Sequence, residues 1–231
     1  MAGFRYDVTA ADLAVATAFA QARAERDGRH YLDRNSAAYK LMQDHTNGAL
    51  GEIAAQHALA HLFQGAEAIV SDPDFTVFDV GRKSFAPDLQ VAFPRDVVAH
   101  AQVKTHVCFR YGDRVPPSFM FQRAGTRRHQ DKHLAALTKG GGNHSEWLVG
   151  VLGYVNDPRK LTDDGRVRRD AIADFCVCHG PWLMQDIVDR DLWREPSLRS
   201  LRQQRAQKRC VWLSDLQAHA RRVTGLAAAH H

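Results

Sequence analysis

The sequence predicts an α/β fold: a central mixed β-sheet flanked by helices. Three observations carry this. Residues 9–63 have helical apolar spacing. Residues 88–104 alternate apolar and polar with the period of strands. Residues 146–154 and 172–179 form apolar runs of the kind buried inside sheets, followed by further helical material. Helices, then a meander of strands, then mixed strand and helix describe one domain over residues 1–225.

The elements follow in order. A first helix is expected over residues 9–26, with Thr9 as N-cap and Gly28 as its end. A second should start near Asn35-Ser36, break around Asn47-Gly48, and run again from Ala49 to Phe63. Residues 66–80 supply strand material on either side of an Asp72-Pro73 turn. Residues 108–128 interleave Phe109, Tyr111, Phe119 and Phe121 with basic residues around Pro116-Pro117. The mix suits nucleic-acid contact, ring to base or sugar and guanidinium to phosphate. A long loop whose aromatics anchor it to the core is the competing reading. His129–Leu137 reads as a short helix, and Gly140–Asn143 as a break with no phosphate-loop lysine after it. A polar loop covers Asn156–Arg169, and Gly180-Pro181 closes the strand with Cys176 and Cys178 on one face. Helices are expected over 182–192, over 197–209 and from Ser214-Asp215. The ending Leu226–His231 reads as a tag remnant.

Composition bounds the class. With 231 residues, 45% of them hydrophobic, the chain can bury a sizeable core. A net charge of +5, from 31 basic and 26 acidic residues, favours an acidic partner without being a histone-like coat. There is no signal peptide and no apolar run that spans a bilayer, so a cytoplasmic protein without membrane contact is expected. The four cysteines (Cys108, Cys176, Cys178, Cys210) contain no CxxC pair and read as reduced thiols.

The most informative stretch is Asp88–Phe93, Pro94-Arg95-Asp96, Val97–His106. If the turn centres on Arg95, antiparallel partners sum to 190: Leu89, Val91 and Phe93 then meet Ala101, Ala99 and Val97. Both apolar faces fall on one side, and a one-residue slip would destroy the match. Asp88, Gln102 and Lys104 converge on the other. An ordinary hairpin with a solvated polar face is the plain alternative. Upstream, Glu52, Gln56, Leu59 and Phe63 share a helical face. An acid on such a face needs a partner if buried, while an exposed glutamate at a helix start needs none. Gly48 and Gly51 would let that helix approach a neighbour closely.

Pro87-Asp88 followed by Gln102-Val103-Lys104 resembles the PD-(D/E)XK nuclease signature in its Gln-x-Lys variant, as in Mrr-type restriction endonucleases. The resemblance spans roughly residues 45–155 and implies a restriction-endonuclease-like core. Glu52 matches the acid that the family often carries on its first core helix. What the resemblance implies is a Mg2+-dependent DNA endonuclease, with Mn2+ as the alternative ion, of restriction or mobile-element defence type. Asp88, the Gln102 side-chain oxygen, the Val103 carbonyl and Glu52 would hold the ion, and Lys104 would orient the attacking water. The products would carry a 5′-phosphate and a 3′-hydroxyl. Gln102 departs from the family's usual Glu or Asp: it is neutral and cannot act as a base. A catalytically degenerate nucleic-acid-binding module, or a repair or RNA nuclease, are therefore the alternatives.

Double-stranded DNA is the expected partner, contacted by Arg110, Arg114, Arg123, Arg127 and Arg128 after the Lys104 strand. Arg202, Arg205 and Arg209 would add a stripe on one helical face; a solvated surface is its competing reading. Cutting both strands with one site per chain requires two copies, so a homodimer is expected. The pairs His57/His61 and His129/His133 have zinc-chelating spacing, but His57 is followed by Ala58 rather than Glu and no third ligand is spaced to join them. No Gly-x-Ser-x-Gly nucleophile elbow occurs.

Overall fold

A computed structural model of the chain describes residues 3–31, 38–77, 87–110, 118–122, 146–194 and 208–224. The elements are β1 (Phe4–Asp7), α1 (Ala10–Tyr31), α2 (Ala38–Leu62), β2 (Ile69–Val70), β3 (Leu89–Phe93), β4 (Val97–Arg110), β5 (Ser118–Gln122), β6 (Trp147–Val155), β7 (Phe175–Leu183), α3 (Met184–Asp189), β8 (Lys208–Trp212) and α4 (Leu213–His219). Six strands form a curled mixed sheet in the order β1-β7-β6-β4-β3-β2, in which β4 and β6 run parallel and the other neighbours antiparallel. β5 and β8 pair antiparallel as a separate small sheet. The result is α/β, with the central sheet between layers. No helix among the described residues is long and apolar enough to cross a membrane.

The hairpin has the register that the numbering gives, with Leu89 on Ala101, Val91 on Ala99 and Phe93 on Val97. Its turn places Arg95 and Asp96 at φ 69° and 60°, the left-handed region. The apolar face then packs on α2. Leu89, Val91, Phe93, Ala101 and Val103 join Trp147, Val149 and Val151 of β6 against Ala54, Ala55, Leu59 and Phe63. The Phe63 ring anchors this layer, stacked 5.3 Å from Trp147 and edge-on at 5.2 Å to Phe93.

The opposite face of the sheet is not solvated. β5, β8, α3 and α4 cover it through Phe119, Phe121, Val211, Met184, Ile187 and Leu216, packed on Leu148 and Leu152 of β6. The hairpin's polar residues beyond Ala101 therefore point into a second buried layer.

Several local expectations change. α1 begins at a reciprocal capping box, where Thr9 Oγ1 accepts from the Asp12 amide (3.2 Å) and Asp12 Oδ2 accepts from the Thr9 amide (2.9 Å). It runs past Gly28 to Tyr31. α2 does not break at Asn47-Gly48. The Asn47 side chain accepts from the Ala173 amide (2.9 Å), and Gln43 donates to the Ala171 carbonyl (2.9 Å), so these polar residues tie the helix to the chain entering β7 instead of ending it. Strand material in 66–80 reduces to Ile69–Val70. The next residues lie along α2, where Gln56 donates to Asp72 (2.7 Å); residues 78–80 lie outside the described residues. β7 continues through Gly180-Pro181 to Leu183, because the one-residue register shift against β6 accommodates the proline. Residues 208–209, expected at the end of a helix, begin β8, because Cys210 and Val211 pair with Met120 and Phe119 of β5. The rest of 197–207, the 129–137 helix, the 140–143 break and residues 226–231 lie outside the described residues.

Of the two helix glycines, Gly51 carries the close approach. A Cβ there would sit 1.9 Å from Thr105 Oγ1 of β4, whereas one at Gly48 meets nothing within 4 Å. Thr105 is β-branched and stiff, so it cannot swing away. Gly51→Ala should destabilise the fold by about 1–3 kcal/mol despite its better helix propensity, and Gly48→Ala should stabilise it by about 0.5–1 kcal/mol. Urea unfolding of the two variants, read as midpoints at constant slope, checks the contrast.

Candidate active site

β3 stops pairing with β4 at Leu89–Ala101, while β4 runs on to Arg110. Asp88, just before β3, takes over from the ladder: its Oδ2 accepts the Val103 amide at 2.8 Å. A residue's N–H and C=O leave a strand on the same side, so the Val103 carbonyl also points along this edge. Strand alternation sends Ala101 and Val103 toward α2, and Gln102, Lys104 and His106 toward the β5–β8 layer.

The Gly51–Thr105 contact delivers Glu52 to the same place. Burial pushes the Glu52 carboxyl well above the ordinary glutamate range. The negative charge of Asp88 adds to this, and that of Asp74 contributes further in the same direction. Arg23 of α1 and Lys104 of β4 act in the opposite sense. Glu52, Asp88 and Lys104, chosen from separate sequence patterns, are therefore within electrostatic reach of one another.

Gln102 is 5% exposed, and its Oε1 has no hydrogen-bond partner among the described residues. A buried acceptor left unmade is costly, so this atom calls for a donor, an ordered water or an ion. Lys104 Nζ lies 5.2 Å from the centroid of the Phe121 ring. Among the described residues no three His, Cys, Asp or Glu side chains gather in ligating geometry. A divalent ion would instead draw on two carboxylates, Asp88 and Glu52, and two neutral oxygens, Gln102 Oε1 and the Val103 carbonyl. All four are hard oxygen donors of the kind Mg2+ takes, and the orphaned Gln102 oxygen fits that role.

The other sequence candidates fall differently. Arg110 is exposed at the end of β4, and its Nη1 donates to the Gly165 carbonyl at 3.3 Å. Arg114, Arg123, Arg127, Arg128, Arg202 and Arg205 lie outside the described residues. Arg209 stands in β8 opposite Phe121, so it does not share a helical face with the other two. Phe109, Phe119 and Phe121 are core residues, each at most 9% exposed, which removes them from the proposed aromatic contacts to bases. His57 stacks on Tyr6 (4.5 Å) and His61 leans on Phe4 (5.2 Å), so this pair packs α2 against β1. His129 and His133 lie outside the described residues. Burial raises the Cys178 and Cys210 thiols, which opposes thiolate chemistry there. A cavity of about 300 Å3 between β1, β7 and the C-terminal half of α2 is lined by Phe4, His61, Leu62, His179 and Arg222 and contains none of the candidate site residues.

Two participants were not legible locally. Asp74 follows a proline turn, and Arg23 sits in an Ala-rich helix; nothing in the spacing of either points at Glu52. Only the packing of α1 on α2, and of the 71–77 segment along α2, brings them there.

A carboxyl raised in the folded state binds its proton more tightly there than in the unfolded chain. It therefore costs stability as pH rises above the unfolded value. In chelator, Glu52→Gln should be more stable than the wild type at pH 7.5, and the difference should vanish near pH 4. Denaturant midpoints at the two pH values check this; an equal difference at both would place the carboxyl outside this field.

No protein-family model, curated protein or solved structure matches the chain.

Proposed function

We propose that the chain is a Mg2+-dependent nuclease, with Mn2+ as a substitute ion, that hydrolyses phosphodiester bonds of double-stranded DNA. It would be of restriction or mobile-element defence type, acting in the cytoplasm as a homodimer on a restriction-endonuclease-like core. The observation that carries the reading is the Asp88–Val103 contact on the edge of β4 that β3 leaves, with the Glu52 carboxyl raised by burial and by the charge of Asp88. Gln102 Oε1, buried and without a hydrogen-bond partner among the described residues, supports the reading as an oxygen that an ion could take up.

A divalent ion, when bound, makes water nucleophilic and offsets the charge that builds on phosphate. The chain's own residues supply the rest. Asp88 and Glu52 provide negative charge, and the Gln102 and Val103 oxygens provide neutral donors. The Lys104 ammonium orients the attacking water and faces the charge growing on the phosphate oxygens. Arg110, exposed at the end of the same strand, would touch backbone phosphate. The products would carry a 5′-phosphate and a 3′-hydroxyl. Because Gln102 is neutral, a module that binds DNA without cutting is the second reading.

Supercoiled plasmid incubated with the protein and Mg2+ should be nicked or linearised, and EDTA should stop this. Asp88→Asn keeps an acceptor for the Val103 amide while removing the charge, so the fold should survive. It and Lys104→Ala should each slow cleavage by roughly a hundredfold or more. Near wild-type cutting by either variant contradicts the assignment, and wild-type binding without cutting selects the second reading.

A further inference from the structure

We infer that Phe121 is a positioning residue for Lys104: its ring holds the lysine ammonium on the stretch of β4 that β3 leaves. The catalytic consequence rests on the nuclease reading; the geometry does not. Lys104 points into the β5–β8 layer, and its Nζ lies 5.2 Å from the Phe121 ring centroid. That is within the range over which an aromatic face attracts a cation. The ring itself cannot drift. Phe121 is 1% exposed, Trp193 meets it edge-on at 5.4 Å, and its backbone pairs with Arg209 of β8.

Two further contacts hold β5 over the main sheet on either side of Lys104. His106 Nδ1 lies 2.6 Å from the Ser118 carbonyl oxygen and 3.1 Å from its amide nitrogen. Phe119 lies so close to Gly150 of β6 that a Cβ there would come within 2.3 Å of its ring. A lysine stem is flexible and carries a compact charge, so a fixed ring beside it narrows where the ammonium sits. The ring attracts the ammonium across 5.2 Å. The amine is thereby held where water and phosphate would meet it.

The test replaces Phe121 by 4-fluoro- and 3,4,5-trifluorophenylalanine, which keep the ring's shape and weaken its face, and by leucine. Single-turnover cleavage at saturating DNA, KM, thermal midpoint and the 1H shifts of Lys104 in 13C-lysine-labelled protein are measured. The expected result is a stepwise fall in rate with fluorination, roughly 3- to 30-fold in all. KM and thermal midpoint should stay within error for the fluorinated proteins. The ε-methylene protons should lie upfield through ring current and move downfield in Phe121→Leu. A flat rate across the fluorinated series, with loss only in the leucine variant, would reduce Phe121 to packing and overturn the inference. If the wild type does not cut, the nuclease reading fails separately. The lysine shifts still decide the positioning, and unshifted ε-methylene protons overturn it.

Discussion

The close crossing of α2 over β4 sets the rest of the structure. Without a side chain at residue 51, the helix backbone comes down onto Thr105. That depth lets Ala54, Ala55, Leu59 and Phe63 reach the sheet, and carries Glu52 to the strand edge where β3 departs. Small residues at the contact do here what bulky ones could not, since any Cβ would force a stiff threonine aside. The same contact thus shapes both the core and the candidate site.

The second constraint is what covers the other face. Gln102 and Lys104 would be unremarkable on a solvated hairpin. Beneath β5 and β8 they become a buried amide oxygen without a partner among the described residues and an ammonium over a ring. Burial raises the cost of each polar group, and so gives each arrangement its meaning. The candidate site is then a meeting of α1, α2, the 71–77 segment, the start of β3, and β4, roofed by β5, with three carboxylates (Glu52, Asp88 and Asp74) opposed by two cations (Arg23 and Lys104).

The hairpin was legible from residue numbers alone, because period-2 alternation and a three-residue turn leave one register that buries both apolar sets. Glu52, Asp88 and Lys104 were legible as separate signals. β1, β5 and β8 were not. Each is four or five residues long, and Phe119 and Phe121 pair with Val211 and Arg209, some ninety residues away. Local pattern cannot report a partner that distant, so buried aromatics read as nucleic-acid contacts. The helix expected to reach residue 209 overran for a related reason: the arginine period carried the reading to that point, whereas the apolar Cys210 and Val211 decide the backbone at 208–209.

The central claim is that Gln102 Oε1 faces a hard cation beside Asp88 and Glu52. It is tested most directly without DNA, by titrating the free protein with Mn2+ and following the unbound ion by electron paramagnetic resonance. Gln102→Glu keeps the side-chain length and adds one negative charge. If that oxygen touches the ion, the variant should bind Mn2+ roughly tenfold or more tightly than the wild type. Superimposable titrations of the two proteins would mean that this side chain does not meet the metal, and the account of the site would be wrong.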